Sequence, residues 1–359
     1  MSEPAAGTGG SLVVERAARP TKVGLTADLF DAGGTPIFGA AALAMLAGHG
    51  LSHDILPPDG GALDPGTLAA YDALFVGAAK VSDAALAGDT GRLRVIARNG
   101  VGYDALDLEA LTRRGILVTN TPLAVRYPVA TTALAFLLAL SLKLPQRMRM
   151  AREGRFGDRG NMLGIGLPGR TVGIVGLGGI GLEIARQIVP HGMRVLGADP
   201  FRNAADLDGT GVELVPLEAL LAQSDFVMIA CLLDRSTFHL IDAGRLALMK
   251  PTAFLINVAR GAIVEEAALI DALRAGTIAG AGIDVFESEP VAPDNPLLAM
   301  ENVIPTPHSL CWTDTFMAEV GRTAIRSIID VLDGRLPQHV VNRDAIDRPR
   351  VRGWLRTPP

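Results

Sequence analysis

Short apolar runs alternate along the chain with longer stretches rich in Ala and Leu. The runs have the length of strands and the longer stretches that of helices, an order typical of parallel sheets with helices on both faces. The first part of the chain predicts strands at 22–29, 73–79, 94–99 and 116–120, with helices at 38–47 and 105–112. Pro128 then opens a predicted long apolar helix over 129–153, in which Pro145 predicts a kink or a break.

A second alternating series begins at Thr171. It predicts strands at 171–175, 194–198, 226–231, 253–258, 282–285 and 303–306. Six strands with helices between them form a full dinucleotide-binding sheet. One more helix is predicted over 313–332, and it ends where Gly334 and Pro337 follow. Residues 1–20 and 346–359 are predicted to be loose tails.

The length of 359 residues suggests two domains of ordinary size. Hydrophobic residues make up 49% and the formal net charge is −5. This composition excludes an intrinsically disordered chain and disfavours nucleic-acid binding, because phosphate recognition usually needs a basic excess. No metal site is predicted.

Neither a membrane span nor a signal peptide is predicted. The longest apolar stretch, 133–144, is interrupted by Ser141 and Lys143, so we expect it to be too short and too polar to cross a bilayer. The N-terminus lacks the basic region and apolar core of a signal peptide. Cys231 and Cys311 are too few for a disulfide framework and are predicted to be reduced thiols of a cytoplasmic protein.

The glycine pattern G-x-G-x-x-G occurs twice, at 164–169 and at 176–181. The first copy follows no predicted strand and contains Pro168, which indicates a loop. The second copy directly follows the strand 171–175 and opens a predicted helix at 180–189, which is the context that dinucleotide binding requires.

Each glycine of the second copy has a specific role in that context. Gly176 allows the tight turn, Gly178 lets a pyrophosphate approach the backbone, and Gly181 lets helix and strand pack closely. The helix N-terminus, which includes Gly179 and Ile180, presents free N–H groups and a positive dipole to the phosphates.

An acidic residue follows at the expected distance. Asp199 lies at the end of the next predicted strand, 18 residues after Gly181. Its carboxylate can accept hydrogen bonds from the adenosine ribose and repels a 2′-phosphate, so NAD is favoured over NADP. Arg202 lies close by in sequence and leaves NADP open as the alternative cofactor.

Three charged residues follow three successive predicted strands, namely Arg260, Glu289 and His308. Because the carboxyl ends of parallel strands meet at one edge, these side chains are predicted to share that edge with the cofactor. Hydride transfer to a ketone leaves an alkoxide that needs a proton, which a histidine can supply, oriented by a carboxylate. An arginine can hold the carboxylate of a 2-oxo acid and polarise its carbonyl.

Six stretches carry a resemblance to a known family. They are Asn99-Gly-Val-Gly-Tyr-Asp104, Asn120-Thr-Pro122, the stretch from Val172 to Gly181, Ile256-Asn-Val-Ala-Arg-Gly261, Asp284-Val-Phe-Glu-Ser-Glu-Pro290 and Thr306-Pro-His308. In order and spacing, residues 95–342 resemble the D-isomer-specific 2-hydroxyacid dehydrogenases, which include phosphoglycerate dehydrogenase and the glyoxylate/hydroxypyruvate reductases.

The resemblance implies roles for individual residues. Arg260 would bind the substrate, Glu289 would support the histidine, and His308 would be the general acid/base. The backbone N–H groups of Val101 and Gly102, in the loop that Gly100 opens, would hold the substrate carboxylate. By the same resemblance, Asp284 would contact the nicotinamide carboxamide.

The resemblance also implies an architecture of two doubly wound parallel-sheet domains. A Rossmann cofactor domain, 123–308, would be inserted into a flavodoxin-like substrate domain formed by 21–122 and 309–345. The family dimerises through the cofactor domain, so a homodimer is expected.

The chain departs from the family pattern at several positions. Thr131 replaces a Glu that often follows Val-Ala in the crossover helix, and Leu232 replaces a usual Pro. The loop 77–80 reads Gly-Ala-Ala-Lys where Arg-Ser is frequent, which weakens the case for a phosphorylated substrate. Trp312 can line the substrate pocket or pack internally. A buried, inert Cys311 and a solvated Lys80 are favoured over functional roles.

Two other functions share this scaffold. One is an NAD(H)-sensing binding protein similar to the C-terminal-binding corepressors, and the other is a phosphite-type dehydrogenase. A formate-type enzyme is disfavoured because Glu289 and His308 are both present. The sequence determines neither the substrate side chain nor the physiological direction.

Overall fold

The computed structural model describes residues 20–56 and 62–356. Its first sheet has five parallel strands: β1 (Lys22–Thr26), β2 (Ser52–Leu56), β3 (Ala73–Val76), β4 (Val95–Arg98) and β5 (Leu117–Thr119). The strand order is β2-β1-β3-β4-β5, which is the flavodoxin-like order. The helices of this part of the chain are α1 (Ala40–Gly48), α2 (Pro65–Ala70) and α3 (Leu108–Arg113).

A pair of helices connects the first sheet to the second, namely α4 (Pro122–Ser141) and α5 (Leu144–Arg152). The sequence predicted one helix over 129–153 that Pro128 opens. Instead α4 begins at Pro122, which suits the first helical position because its missing N–H has no partner there, and Pro128 lies inside the helix. The predicted break is present, since Lys143 adopts a left-handed φ of 53° between the two helices.

The apolar character of α4 is stronger than the sequence analysis expected. By length and composition alone, Pro122–Ser141 could cross a membrane. In the fold its buried side chains, such as Phe136 and Leu137, pack among residues of the second sheet and its helices. That is the setting of a core helix that joins two layers.

The second sheet has seven parallel strands: β6 (Thr171–Val175), β7 (Arg194–Ala198), β8 (Val212–Leu214), β9 (Phe226–Ile229), β10 (Phe254–Asn257), β11 (Gly280–Ile283) and β12 (Val303–Pro305). Their order is β12-β11-β10-β9-β6-β7-β8, the Rossmann order extended by one strand. The accompanying helices are α6 (Gly179–Ile188), α7 (Leu217–Gln223), α8 (Ala243–Leu246) and α9 (Glu266–Ala275). The strand order reverses between β6 and β9, and in such sheets ligands bind outside the strand ends at that point.

The chain then returns to the first sheet. Helix α10 (Asp314–Leu332) packs on α1, β3 and β4, and its apolar face joins the same core as Phe38 and Phe75. The predicted fold class, with one α/β unit inserted into another, is confirmed. The domain boundaries at 122/123 and 308/309 remain a prediction.

The predicted C-terminal tail is wrong as far as Arg356. Helix α11 (Pro349–Trp354) follows, and Val351 at its centre is fully buried in the core of the first sheet. Arg350 donates hydrogen bonds to the carbonyl oxygens of Thr90 and Arg114, at 2.8 and 3.1 Å. The segment is charged and contains prolines, so its composition does not indicate that one apolar face of the helix is buried. The predicted tail at 1–20 lies outside the described residues except for Pro20.

Candidate active site

A cavity of about 580 Å³ lies where the carboxyl ends of the two sheets face each other. Ten of the predicted site residues line it: Gly100, Val101, Gly102, Gly178, Gly179, Ile180, Arg260, Asp284, Glu289 and His308. The prediction that the three charged residues share one edge with the glycine turn therefore agrees with their placement. Gly176, Gly181 and Asp199 do not line the cavity.

His308 and Glu289 form a pair on one wall of this cavity. The Nδ1 atom of His308 lies 2.7 Å from Oε2 of Glu289, and the other carboxylate oxygen accepts the backbone N–H of Phe286 at 2.9 Å. The side chains are 42% and 37% exposed, so the imidazole is supported from behind and still reaches the cavity. Burial raises the pKa of Glu289, but the hydrogen bond and charge of His308 outweigh it and hold that pKa below its ordinary value.

Arg260 reaches across the cavity to the loop that follows β4. Its Nε atom donates to Oδ1 of Asp104 at 3.0 Å, and its Nη1 atom donates to the carbonyl oxygen of Ala259 at 2.7 Å. Burial raises the pKa of Asp104, but the charge and hydrogen bond of Arg260, a backbone hydrogen bond and the charge of Arg98 together lower it more, so this pKa stays below its ordinary value. A Cβ atom at Gly102 would overlap Nη2 of Arg260, so only glycine leaves the guanidinium in this place.

The loop 99–104 is fixed by hydrogen bonds from the residues that directly follow β5. Gly100 has a φ of +95°, which favours glycine, and its carbonyl oxygen accepts the N–H of Thr121 at 3.0 Å. The side chain of Asn120 donates to the carbonyl oxygen of Val101 at 2.9 Å. Within the described ranges the N–H groups of Val101 and Gly102 donate to no protein atom, so both can bind an anion in the cavity.

The glycine turn after β6 has the geometry of a dinucleotide cradle. Gly176 has a φ of +92°, and a Cβ there would lie 2.6 Å from the Cα of Cys231. A Cβ at Gly181 would overlap the carbonyl oxygen of Gly176, so these two glycines permit close packing. Nothing described lies within 4 Å of the Cβ position of Gly178, which leaves the backbone open to a ligand. The N-terminus of α6 therefore fits a pyrophosphate.

Asp199 lies at the end of β7 next to this turn. Its Oδ2 accepts the N–H of Leu177 at 2.8 Å and its Oδ1 accepts that of Phe201 at 2.9 Å. The carboxylate is thus fixed in place, and each oxygen retains a lone pair. Arg202 lies on the same turn, because its Nε donates to the carbonyl oxygen of Leu177 at 3.2 Å.

Asp284 is buried at the end of β11 and organises the segment that carries the histidine. Its Oδ1 accepts the hydroxyl of Thr306 at 2.6 Å and the N–H groups of Ser309 and Leu310 at 3.2 and 3.3 Å. Its Oδ2 has no partner in the described part of the chain and belongs to the cavity lining.

The remaining candidate residues are Trp312, Lys80 and the two cysteines. Trp312 lines the cavity, whereas Lys80 is exposed outside it. Burial raises the pKa of Cys311 to about 11 and that of Cys231 to about 12, so both thiols are protonated at neutral pH. Among residues 20–56 and 62–356, no group of three metal-ligating side chains is found.

Several lining residues were missed from the sequence, chiefly Asp28, Arg98, Asp104 and Arg126. Arg98 is partly buried, and its Nε is buried without a hydrogen-bond partner among the described atoms. Burial and then the charge of Arg260 lower the pKa of Arg98 to about 10. Its position at the carboxyl end of β4 was a usable signal, the same one that identified Arg260.

Comparisons with known proteins agree with this geometry. A family model described as D-isomer specific 2-hydroxyacid dehydrogenase, NAD binding domain, matches residues 134–309. A glyoxylate reductase from Korarchaeum cryptofilum is 41% identical over 258 residues, covering 71% of this chain and 78% of that protein. A D-3-phosphoglycerate dehydrogenase from Archaeoglobus fulgidus is 38% identical over 277 residues, covering 77% of this chain and 52% of the relative.

A solved structure shares the fold over nearly the whole chain. It is the NADPH-dependent glyoxylate/hydroxypyruvate reductase from Sinorhizobium meliloti in complex with NADP and malonate, with a TM-score of 0.77 and 29% identity. The match covers 90% of this chain and 98% of the reductase. The chain therefore belongs to the D-isomer-specific 2-hydroxyacid dehydrogenase family.

Proposed function

We propose that this protein is a nicotinamide-dependent oxidoreductase that interconverts a small 2-oxo acid and its D-2-hydroxy acid, with His308 as the general acid/base. One observation carries the proposal: the His308–Glu289 pair, at 2.7 Å, lies in the same cavity as Arg260 and the glycine turn. A proton donor, an anion clamp and a dinucleotide cradle are the parts that this reaction requires.

The substrate is held by positive charge and backbone donors. Arg260 binds the carboxylate and polarises the carbonyl oxygen, while the N–H groups of Val101 and Gly102 bind the carboxylate from the loop after β4. Arg98 adds a further guanidinium to the lining on the same side, and its charge acts on Arg260.

Proton transfer falls to His308. Its Nδ1 faces Glu289, which leaves Nε2 to give a proton to the substrate oxygen during reduction and to take it back during oxidation. Glu289 fixes the orientation of the ring. Movement of the two sheets towards each other would exclude water from the cavity.

The cofactor site comprises Gly176, Gly178–Gly181, Asp199 and Asp284. A bound nicotinamide supplies or accepts the hydride. We assign NAD in preference to NADP because the fixed carboxylate of Asp199 repels a 2′-phosphate. The test compares dissociation constants for NADH and NADPH: Asp199→Ala should weaken NADH binding and improve the relative affinity for NADPH, and tighter NADPH binding by the unmodified protein would contradict the assignment.

The substrate is assigned by size and charge. The lining at Gly77 and Ala78 contributes no arginine, and the carboxylate of Asp28 accepts the N–H of Ala78 at the same place. A phosphoryl group would meet that carboxylate, so a phosphorylated substrate is disfavoured. We propose glyoxylate or hydroxypyruvate, the substrates for which similar reductases are named.

We also assign residues 123–308 to a cofactor domain and 21–122 with 309–345 to a substrate domain, and propose a homodimer formed through the former. Supporting this, large apolar side chains are exposed along α4, α5 and the segment after them, including Leu123, Tyr127, Leu144, Phe156 and Leu163. Analytical ultracentrifugation tests the dimer.

We propose a cytoplasmic location. Two free thiols are compatible with that compartment.

The decisive experiment measures NADH oxidation with a panel of 2-oxo acids for the protein and for His308→Gln. We expect kcat to fall at least 100-fold, while the dissociation constant for NADH stays within about twofold. His239→Gln is the matched control, because His239 also pairs with a glutamate, Glu287 at 2.9 Å, and lies outside the cavity.

Three results would contradict the proposal. NADH binding without turnover of any 2-oxo acid would favour an NAD(H)-sensing binding protein instead. Turnover of phosphite alone would favour a phosphite dehydrogenase. Unchanged turnover in His308→Gln would remove the acid/base assignment.

A further inference from the structure

An arginine from a different helix lies on the glycine turn. Arg126 is on the second turn of α4, and Gly179 is the first residue of α6. A Cβ atom at Gly179 would lie 2.5 Å from Nε and 3.0 Å from Cζ of Arg126. The guanidinium therefore occupies the space that a side chain at position 179 would fill, and it lines the cavity beside Gly178 and Ile180.

Arg126 forms no direct ion pair in the described part of the chain, although its charge helps to lower the pKa of Glu183 on α6. Within residues 20–56 and 62–356, no carboxylate oxygen lies within 4.0 Å of its nitrogens, and it donates no hydrogen bond. The carboxylate on the adjoining face of α6, Glu183, is bound by Arg186 at 2.5 Å. An exposed arginine without a partner on a surface would be unremarkable, but this one lies against the backbone that must receive two phosphates.

The glycine turn itself offers no basic side chain. Its residues from Gly176 to Gly181 are glycines with one Leu and one Ile, so the turn's own contribution to phosphate binding is its backbone N–H groups and the dipole of α6. A planar guanidinium can add two parallel hydrogen bonds to phosphate oxygens. The absence of a side chain at Gly179 is what allows such a group to approach from α4.

We propose that Arg126 binds the pyrophosphate of the dinucleotide, so that α4 and α6 hold the two phosphates between them. The inference rests on the proposed use of a nicotinamide cofactor and goes beyond it, because it assigns a phosphate ligand outside the glycine motif. The ligand class is a dinucleotide or any fragment that retains the pyrophosphate.

The test titrates the full-length protein with NADH, ADP-ribose and adenosine, using calorimetry and not turnover as the readout. For Arg126→Gln we expect the dissociation constants for NADH and ADP-ribose to rise about tenfold to hundredfold, the range for one lost charge-assisted contact. Binding of adenosine, which has no phosphate, should be unchanged. The dependence of NADH binding on salt concentration should also become weaker.

Two further variants separate this contact from general damage. Arg322→Gln is the matched control, since it removes an arginine of α10 that is already paired with Glu319 and lies outside the cavity, and it should bind NADH as the unmodified protein does. Gly179→Ala should weaken NADH binding by displacing Arg126, and adding Arg126→Gln to it should then cost little more.

The outcomes distinguish this inference from the proposed function. If the unmodified protein binds no NADH, the proposed function and this inference both fail. If it binds NADH and Arg126→Gln binds equally well, or weakens adenosine as much as NADH, only the role of Arg126 is overturned. Circular dichroism of each variant verifies that it is folded.

Discussion

The substitution Gly102→Ala tests the geometry of the substrate clamp directly. Gly102 does not adopt a left-handed φ, so its backbone accepts alanine and the effect is purely one of space. The added methyl group would overlap Nη2 of Arg260 and lie 2.6 Å from its Cζ. Because a comfortable contact needs at least about 3.5 Å, the Cζ atom must move by about 1 Å and the Nη2 atom by about 2 Å.

A displacement of this size should reduce the rate of catalysis strongly and change the free energy of unfolding only slightly. Misplacement of a reacting or clamping group by about 1 Å can reduce the rate about 100-fold, or about 2.7 kcal/mol in the free energy of activation. The displaced arginine also loses its 3.0 Å contact with Asp104, but a partly exposed ion pair contributes about 1 kcal/mol or less to the free energy of unfolding.

The assay is steady-state NADH oxidation with the best 2-oxo acid of the panel. We expect kcat/KM of Gly102→Ala to fall about 100-fold, with KM raised, and the dissociation constant for NADH to stay unchanged. Gly48→Ala is the control, because a Cβ at this last residue of α1 meets nothing within 4 Å. A Gly102→Ala variant with normal kcat/KM would show that Arg260 does not hold the substrate.

Other predictions follow from burial and charge. Because burial raises the pKa of Cys311 to about 11, its thiolate forms only at far higher pH than 7, and Cys311→Ser should keep kcat within about twofold and iodoacetamide should leave activity intact. Val351→Ala should lower the free energy of unfolding by about 1–3 kcal/mol in urea titrations, whereas a loose tail would give no change. The pKa of Glu289 is lowered in the folded state, so the stability it contributes is present above its ordinary pKa of 4.5 and is lost as pH falls below that value. The difference in unfolding free energy between the protein and Glu289→Gln should therefore shrink over that acidic range. A difference that does not change with pH would contradict the pairing.

The sequence predicted the strands with buried side chains better than the exposed ones. Bounds for β6 and β7 agree with the structure because each is a short apolar run between clear turn signals. The strands β2 and β8 were not predicted: the first four residues of β2 are exposed, and β8 is three residues long with no buried position. Strands with so few buried side chains leave no hydrophobic pattern to detect, whereas the edge strands β5 and β12 contain buried positions and were predicted.

The same contrast applies to the site. Arg260, Glu289 and His308 were found because each follows a predicted strand, and parallel strands bring their ends together. Arg126 has no such signal, because it is one polar residue in an apolar helix. Its relation to Gly179 exists only once α4 has packed on α6, and packing between helices cannot be read from spacing along the chain.

The route of the backbone between the two sheets links the orientation of His308 to any movement of one sheet relative to the other. In the described chain the polypeptide leaves the first sheet through 120–122 and comes back through 306–313, and His308, with its left-handed φ of 52°, lies in the second of these crossings. Any swing of one half against the other must be absorbed by torsions in these few residues. If the two halves close on each other, we therefore expect the direction of the His308 imidazole to depend on how far they have closed.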